Sequence, residues 1–558
     1  METWALDLGT TNSGVARWDA ESEQALLVEL PEVCRLAEGD DPLDAPRMVP
    51  TAVHLIDAPR LIDRIGSWRP FRGLLLGRTG YIGRQALDRN RASSHPAFVP
   101  GFKAALSSDG SRPLARIDGR PVAARAVAHV FLRELLAEVK RATGRRVRDL
   151  VVAAPVSAYE TYRAELQRIL QRVGVRRVRF VDEPLAVALG YGLGLSTESL
   201  VLVVDIGGGT MHTELVRLTP RGVAGGEAQV LAKRVRPIGG NAVDSWVLRD
   251  MCAAMGYPLD EWADDEEGRF WRRLMLAEAC RVKEAVYLEE RATFLLAPPG
   301  AVRQIGASRL GASLATLTRA RLAELLELHG FYQSLSACFD EMFESQPGAE
   351  RALDHVLVVG GSTLLPGVFP LLERRFERRR LRAWQPFEAV AFGAACFAAD
   401  RIGTADFVFH DYAFVTHSPA TGDPQHHVIV PRGTRYPTAP DFWKRQVVPT
   451  CRLGEPETVF KLVIAEVSRG DGDRRFAWDA SGDLQKIGGT AGKAEVVVPL
   501  NDGSPTLGSL DPPHHPHDRR PRLEIEFGVN RDRWLVATVH DLLTHRELMR
   551  EEPVVRLV

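Results

Sequence analysis

"WALDLGTTNSGVARW" fills positions 4–18, and "VLVVDIGGGTMHTELV" fills positions 201–216. Both run apolar strand, Asp, one apolar residue, Gly, a few small residues, and a second strand. The spacing predicts two strands joined by a tight turn, with Asp7 and Asp205 in the same register just before it. Taken singly, either stretch reads equally well as a plain hairpin. Taken as a pair, they predict two similar lobes. Small residues leave backbone N–H groups free to line an anion-binding concavity, and threonine hydroxyls add donors for phosphate. Two carboxylates, one from each lobe across a cleft, suit a hydrated Mg²⁺ bridging nucleotide phosphates, because Mg²⁺ keeps several of its waters. Neither turn is a Walker loop: the G-x-x-x-x-G-K-[ST] spacing is absent, and the turns lead into strands instead of helices. A third glycine turn, "VLVVGGSTLLPG" (356–367), runs from a strand towards a helix, which suits close approach of a nucleoside or phosphate to backbone.

Composition narrows the classes. At 558 residues the chain is too long for one core, so two or three domains are expected. The net charge of −1 argues against a dedicated nucleic-acid binder. Six cysteines without CxxC spacing argue for a reducing compartment and against a disulfide or zinc framework. The first strand begins at once, and no apolar run is long enough to cross a bilayer, so a cytoplasmic protein without membrane contact is expected.

Up to about residue 400, helices and strands alternate. "RAVAHVFLRELLAEVKRATG" (125–144) and "AYETYRAELQRILQRVG" (158–174) have helical period and close on glycine, while "DLVVAAP" reads as a buried strand between them. "LAELLELHGFYQSLSACFDEMF" (322–343) reads as one helix, and "PFEAVAFGAACFAADR" (386–401) closes the region as another. Beyond it short β runs take over, with a hairpin expected around Asn530–Arg533 and a loop over "DGSPTLGSLDPPHHPHDRRPR" (502–522). The boundary is placed near residues 401–410. The run "ERRFERRRLR" (373–382) reads as a solvated helix face, and "PPHHPH" (512–517) as a loop without fixed metal geometry.

These residues, in this order, resemble the heat shock protein 70 (DnaK-type) chaperones. "DLGTTNS" looks like the family's first phosphate loop, "DIGGGT" like its second, "GGSTLLP" like its adenosine loop, and "VDEPLAVALGYGLG" and "FEAVAFGAA" like its two connecting helices. The resemblance implies an α/β fold, with an actin-like, two-lobed ATPase domain of duplicated ribonuclease-H-like lobes over 1–400. An interdomain linker over 401–411 and a smaller all-β sandwich over 412–558 would follow. It implies ATP and Mg²⁺, with Asp7 and Asp205 ordering the metal's water shell. Gly9, Thr10, Thr11, Asn12, Gly207, Gly208, Gly209 and Thr210 would surround phosphate. Lys103 in "VPGFKAAL" would hold the attacking water and γ-phosphate, and Glu183 in "VDEP" would sit near metal and water. Gly239, Gly240, Lys283, Gly360, Gly361 and Ser362 would frame the nucleoside. Pro155 and Arg163 would relay the nucleotide state, and Arg179 would offer a site for a J-domain-type partner. "DFVFHD" (406–411) would be the linker, with Asp406 and Asp411 flanking Phe407, Val408 and Phe409, and His410 where a leucine is expected.

The sequence also departs from the family. Asn241 in "GGNA" replaces an acid that touches ribose, Leu364 stands where an arginine would stack on adenine, and Tyr287 replaces a serine. Nucleotide binding is therefore expected to survive with weaker selectivity for the base. The stretch "YAFVTHSPATGDPQHHVIV" (412–430) is more polar than the family's peptide groove, and the helical lid is expected to be missing. The expected function is a slow Mg-ATPase coupled to binding of protein clients or partners. A nucleotide-binding scaffold or exchange factor with little hydrolysis is the first alternative, and a small-molecule kinase on the same fold is the second.

Overall fold

The computed structural model describes every residue except 1, 2, 23, 36–47, 57–78, 93–96, 109, 118, 157–159, 194, 196, 257, 258, 260–265, 296–314, 384, 385, 401–407, 409, 410, 419, 420, 432, 433, 435, 452–454, 469–475, 479–483, 487–495, 502–504, 532, 533 and 558. The chain divides into two compact units, Met1–Leu372 with Leu381–Ile402, and Glu373–Arg380 with Gly403–Val558.

The first unit holds two sheets built to one plan. In the first, β1 (Trp4–Leu8), β2 (Asn12–Asp19) and β3 (Gln24–Leu27) form an antiparallel meander. β4 (Asp149–Ala154) and β5 (Arg177–Asp182) add in parallel on the other side of β1, and the short strand Val49–Pro50 pairs with β2. In the second, β6 (Ser199–Ile206), β7 (Met211–Leu218) and β8 (Gln229–Arg236) form the meander. β9 (His355–Val359) and β10 (Leu381–Arg382) continue in parallel beyond β6. The parallel strands read as nearly continuous apolar runs, "LVVAA" and "VLVV", because helices cover both faces of such strands. The two glycine turns thus leave the same edge of equivalent central strands. Asp7 pairs with Gly14 across β1–β2, and Asp205 with His212 across β6–β7.

The two sheets share one apolar core through two helices, α3 (Glu183–Gly190) and α6 (Ala389–Ala398). The labels α1 (Lys103–Ser108), α2 (Glu160–Arg172), α4 (Gly240–Ala254) and α5 (Glu266–Ala285) are used below. Helix α6 follows the second sheet in sequence but packs against β1, β2, β3 and β4 of the first, while α3 packs against β4, β5 and β9. Ala5, Ala153 and Val181 of one sheet and Val203, Val216 and Val359 of the other meet in this core. Where α3 and α6 cross, a Cβ on Gly190 would lie 1.9 Å from the Ala389 carbonyl oxygen, and one on Gly393 would lie 1.6 Å from the Ala186 carbonyl oxygen. The helices therefore touch backbone to backbone, and no larger residue fits either position.

In the second unit, Pro424–Val430, Asp411–His417, Ile464–Ser468 and Val496–Pro499 form one four-stranded antiparallel sheet. Trp443–Val447, Leu523–Val529, Trp534–Asp541 and Arg546–Arg556 form another. Tyr412, Phe414 and Ile464 of the first sheet and Ile525, Phe527 and Val539 of the second belong to a single apolar cluster. The hairpin lies where the sequence puts it, between Val529 and Trp534.

Three sequence expectations are corrected. The helix over 322–343 is two helices, Arg319–Leu328 and Phe331–Ser345, interrupted at Gly330, whose φ of 69° is a left-handed conformation that glycine adopts without strain. The apolar period runs through the break, so only the glycine marks it. The loop over 502–522 contains the strand Thr506–His514, which pairs with Glu457–Leu462 despite its prolines. The basic run is not wholly a solvated face: Arg378 and Arg379 pair with Glu373 and Glu377, while Arg382 lies in β10, buried and 3.2 Å from His355 Nδ1. The six cysteines are free, and no helix among the described residues is long and apolar enough to cross a membrane.

The crossing generates a stability prediction. Gly393→Ala forces a methyl group into the Ala186 carbonyl, so it lowers the thermal midpoint clearly, by about 1–3 kcal/mol of stability or more. Gly209→Ala, at a position with open space around it, shifts the midpoint little. Equal midpoints for the two variants, measured by calorimetry, contradict the close crossing.

Candidate nucleotide site

The first turn is pinned from below by hydroxyls. The Thr51 hydroxyl donates to the Gly9 carbonyl oxygen at 2.9 Å and lies 2.8 Å from Ser13 Oγ, and the Thr51 N–H donates to the Thr11 carbonyl at 2.8 Å. Gly9 is required there, since a Cβ would lie 2.0 Å from the Asn12 carbonyl oxygen. The second turn is closed by Gly207 N–H donating to the Thr210 carbonyl at 3.0 Å. Two further segments lean on it. Gly240 N–H and Asn241 N–H, at the start of α4, donate to the Gly207 and Gly208 carbonyls, and Ser362 Oγ donates to the Gly207 carbonyl at 3.0 Å. Gly239 and Gly360 leave no room for a side chain. A Cβ on the first would meet the Gly207 and Gly208 carbonyls, and one on the second would lie 2.6 Å from Asp205 Oδ1. The two turns meet across the lobes: a Cβ on Gly208 would lie 2.7 Å from Thr11 Oγ1. Thr10, Thr11, Gly209 and Thr210 are exposed at their tips.

Behind the turns lies a cluster of charge. Lys103, in the first turn of α1 and buried, donates from Nζ to Glu183 Oε1 at 2.8 Å, joining α1 to the start of α3. Burial works against its ammonium, but Glu183, Tyr162 and Asp7 outweigh burial and hold its pKa above the ordinary lysine value. Asp7 and Asp205 keep a little exposure, yet protein surrounds both closely. Desolvation, eased by Lys103 and reinforced by Glu183, pushes Asp7 up to about 7. Desolvation, reinforced by Glu183 and Asp7 and opposed by Lys103, pushes Asp205 to the same value. Without a cation, these two carboxylates are costly to ionise.

On the other side of the second turn stand α4 and α5. Lys283 Nζ pairs with Asp244 Oδ1 at 2.7 Å, and both are buried. Burial opposes the lysine's charge, but Cys280, Tyr287, Asp244 and Glu284 around it hold it well above the usual lysine range. A Cβ on Gly240 would lie 3.4 Å from Lys283 Nζ. Lys283 thus sits beside the second turn and is already committed to an acid. Gly361 is filled against the Phe387 ring. Leu364, in the short helical turn Gly361–Leu364, is 2% exposed and turned into the core, and so is Tyr287, at 5%.

The residues expected to relay nucleotide state stand apart from one another. Pro155 lies at the end of β4, partly buried. Arg163 Nη2 donates to Asp182 Oδ1 at 2.5 Å, while Asp182 Oδ2 accepts from Ala228 N–H of the second lobe at 2.8 Å. Arg179 donates to the Ala398 carbonyl at 2.8 Å, faces Asp400 at 3.5 Å, and lies over the Phe397 ring. Of the linker stretch, Asp406, Phe407, Phe409 and His410 lie outside the described residues. Val408 is buried in the apolar cluster of the second unit, its N–H donating to the Thr434 carbonyl, and Asp411 opens a strand there.

Sequence reasoning missed Tyr162, His212, Asp244, Asp182 and Thr51. His212 was legible in principle, because the tight turn pairs it directly with Asp205 and so puts both on one face of the sheet. Its imidazole is held below its usual pKa by burial and by Lys233. Asp244 and Thr51 come from distant segments, and only the fold brings them in.

The family model described as "Hsp70 protein" matches residues 81–448. The chain belongs to the Hsp70 family. It is 26% identical over 374 residues to a protein named "Chaperone protein HscA homolog" from Shewanella denitrificans, covering 66% of this chain and 55% of that protein. It is 24% identical over 446 residues to "Chaperone protein DnaK" of Thermus thermophilus, covering 78% and 66%. To the HscA homolog of Shewanella amazonensis it is 26% identical over 471 residues, covering 83% and 68%. It thus spans 55% and 66% of the first two relatives' lengths. In this Hsp70-family chain, burial of Leu364 means that an arginine placed there has no surface to occupy without leaving the core.

The carboxylates give a pH prediction. Below about pH 4, Asp7 and Asp205 are protonated in both folded and unfolded chains, and nothing is lost. Between about 4 and 7 the unfolded chain ionises while the folded chain keeps its protons, so stability falls as pH rises. Above about 7 the full penalty remains, up to about 4 kcal/mol for each group. Asp7→Asn and Asp205→Asn therefore raise the stability of the metal- and nucleotide-free protein, more at pH 8 than at pH 5. Urea unfolding at both values checks this; a gain independent of pH contradicts it.

Proposed function

We propose that this protein is a Mg²⁺-dependent, ATP-binding chaperone of the Hsp70 type. Its first unit is read as the actin-like pair of ribonuclease-H-like lobes, and its second as a β-sandwich that takes protein clients or partners. The matching strand order of the two sheets supports the first reading, and the single core under two antiparallel sheets supports the second. The observation that carries the function is the Lys103–Glu183 pair set beside Asp7 and Asp205 behind two facing glycine turns.

The residues fit a divalent cation. Two desolvated carboxylates that resist ionisation on their own are relieved by a positive ion between the lobes. Asp7 and Asp205 would hold it through its waters, and bound there it would neutralise phosphate charge. The chain's own groups do the rest. Thr10, Thr11 and Thr210 present hydroxyls to the phosphates, and the backbone of Gly9, Asn12 and Gly207 to Gly209 lines the concavity. Gly239, Gly240, Gly360, Gly361, Ser362 and Lys283 frame the nucleoside. Lys103 holds the γ-phosphate and the attacking water, which Glu183 orients. The water oxygen bonds to the γ-phosphorus, the bond to the β–γ bridging oxygen breaks, and ADP leaves with that electron pair. The water's proton ends on the released phosphate. Nucleotide state then passes through Pro155 and Arg163 to the second unit. The face around Arg179 is read as the site of a J-domain-type partner. Turnover is slow, as suits a switch.

Lys103→Ala slows single-turnover ATP hydrolysis at least about a hundredfold, about 2.7 kcal/mol of barrier, with ATP affinity nearly kept. Hydrolysis at the wild-type rate in this variant overturns the assignment of Lys103. Its absence in the wild type leaves a nucleotide-binding scaffold, and stimulation by a sugar panel reveals a kinase.

A further inference from the structure

Two arginine-rich turns lie side by side at one end of the first lobe. "GRRVRD" (144–149) leads from the helix Ala124–Thr143 into β4, and "RVGVRR" (172–177) leads from α2 into β5. Backbone bonds hold the turns together. Arg176 N–H and Arg177 N–H both donate to the Arg148 carbonyl, at 2.7 and 3.1 Å, and Asp149 pairs with Arg177 across β4–β5. The two segments carry Arg145, Arg146, Arg148, Arg172, Arg176 and Arg177 against one acid, Asp149, and all six arginines are exposed. A chain of net charge −1 thus concentrates positive charge on one small face.

The needs of the fold explain little of this. A helix dipole favours cations near the C-terminus, but the effect fades beyond the last turn. It accounts for Arg172, in the last turn of α2, and not for the arginines that follow Gly144 and Gly174, the left-handed glycines where the helices stop. Ion pairing does not account for them either. Arg146, Arg148, Arg172, Arg176 and Arg177 make no ion pair or side-chain hydrogen bond with a described residue. Like charges set opposite one another on adjacent strands repel, so the cluster works against stability. Arg179, two residues further along β5, is different: it is engaged by the Ala398 carbonyl and Asp400.

We propose that this face is a docking surface for an acidic segment of a partner protein, a short run of Asp and Glu side chains. A guanidinium grips a carboxylate with two parallel hydrogen bonds, and its planar fork loses little freedom in doing so. A polypeptide fits better than a nucleic acid. Neither turn carries an aromatic residue on which a base would stack, and the nearly neutral chain adds no wider field to draw in a polyanion. A bilayer fits no better, because Val147 and Val175 are buried and leave no apolar side chain fully exposed to enter it. The face also lies away from the two glycine turns. Asp7 pairs with Ala153, four residues and about 13 Å along β4 from Asp149. An acidic partner held here leaves the cleft between the lobes free.

The probes are a fluorescent peptide of mixed Glu and Asp, a serine-glycine peptide of the same length, and a single-stranded DNA of the same charge. Each is titrated into the full-length protein and followed by anisotropy. The acidic peptide is expected to bind, more weakly as salt rises, and the serine-glycine peptide not to bind. Arg148→Glu with Arg177→Glu weakens the acidic peptide at least about tenfold. Arg148→Gln with Arg177→Gln, which removes the charges without reversing them, weakens it by a smaller factor. Arg520→Glu with Arg550→Glu, the same change of charge at exposed positions of the second unit, leaves it unchanged. ATP affinity is the same in all of these proteins, and the thermal midpoint of the Arg148 and Arg177 variants is unchanged or raised. Equal weakening by the two glutamate pairs overturns the proposal, because the charge of the whole chain would then be what binds. DNA bound more tightly than the peptide overturns it in favour of a nucleic-acid face. A lowered midpoint with peptide binding kept makes the arginines structural and overturns it too.

Discussion

The contact on which everything else depends is the crossing of α3 and α6 at Gly190 and Gly393. Helix α6 follows the second sheet and packs onto the first, and α3 follows the first and touches strands of both, so the two together lock the sheets into one core. The crossing brings the ends of β1 and β6 towards each other, and with them the two glycine turns. Without it Thr11 would not reach Gly208, and Asp7 and Asp205 would not both feel Lys103 and Glu183. A packing constraint made of alanine and glycine thus determines where the charges stand.

Those charges are placed against their own interest. Burial makes Asp7 and Asp205 reluctant to ionise, and they are compensated only in part by Lys103, itself paired with Glu183. On the reading proposed above, a site that is electrostatically incomplete by itself is well prepared for a cation and a polyphosphate arriving together. The same logic does not extend to the Lys283 side, where the lysine is matched by Asp244 and Leu364 is folded away. The end at Asp7 and Asp205 is poised, and the end at Lys283 is closed in on itself.

Much of this was legible in the sequence because strand, Asp and glycine turn are local signals, and they recur once in each lobe. The register of Asp7 and Asp205, the hairpin before Trp534 and the helix at 389–398 follow from alternation and period alone. The break at Gly330 was hidden because the apolar pattern runs through it. The strand Thr506–His514 was hidden because its prolines mimic a loop. What no local pattern revealed were the partners: Thr51 under the first turn, Asp244 beside Lys283, Asp182 opposite Arg163. Each is an ordinary polar residue whose significance comes from a contact well outside its own element.

Asp182 has a mechanical consequence. One of its oxygens is held by Arg163 at 2.5 Å and the other by the Ala228 N–H of the opposite lobe at 2.8 Å, while its own N–H donates to the Gly226 carbonyl. It is fastened on both sides with no slack. Glu183 is the next residue along the chain, and the same peptide carries both. A rotation of one lobe against the other must therefore either break a bond at Asp182 or drag Glu183 with it. The attachment ties the relative setting of the two sheets to the placing of one carboxylate beside Lys103, through a single peptide.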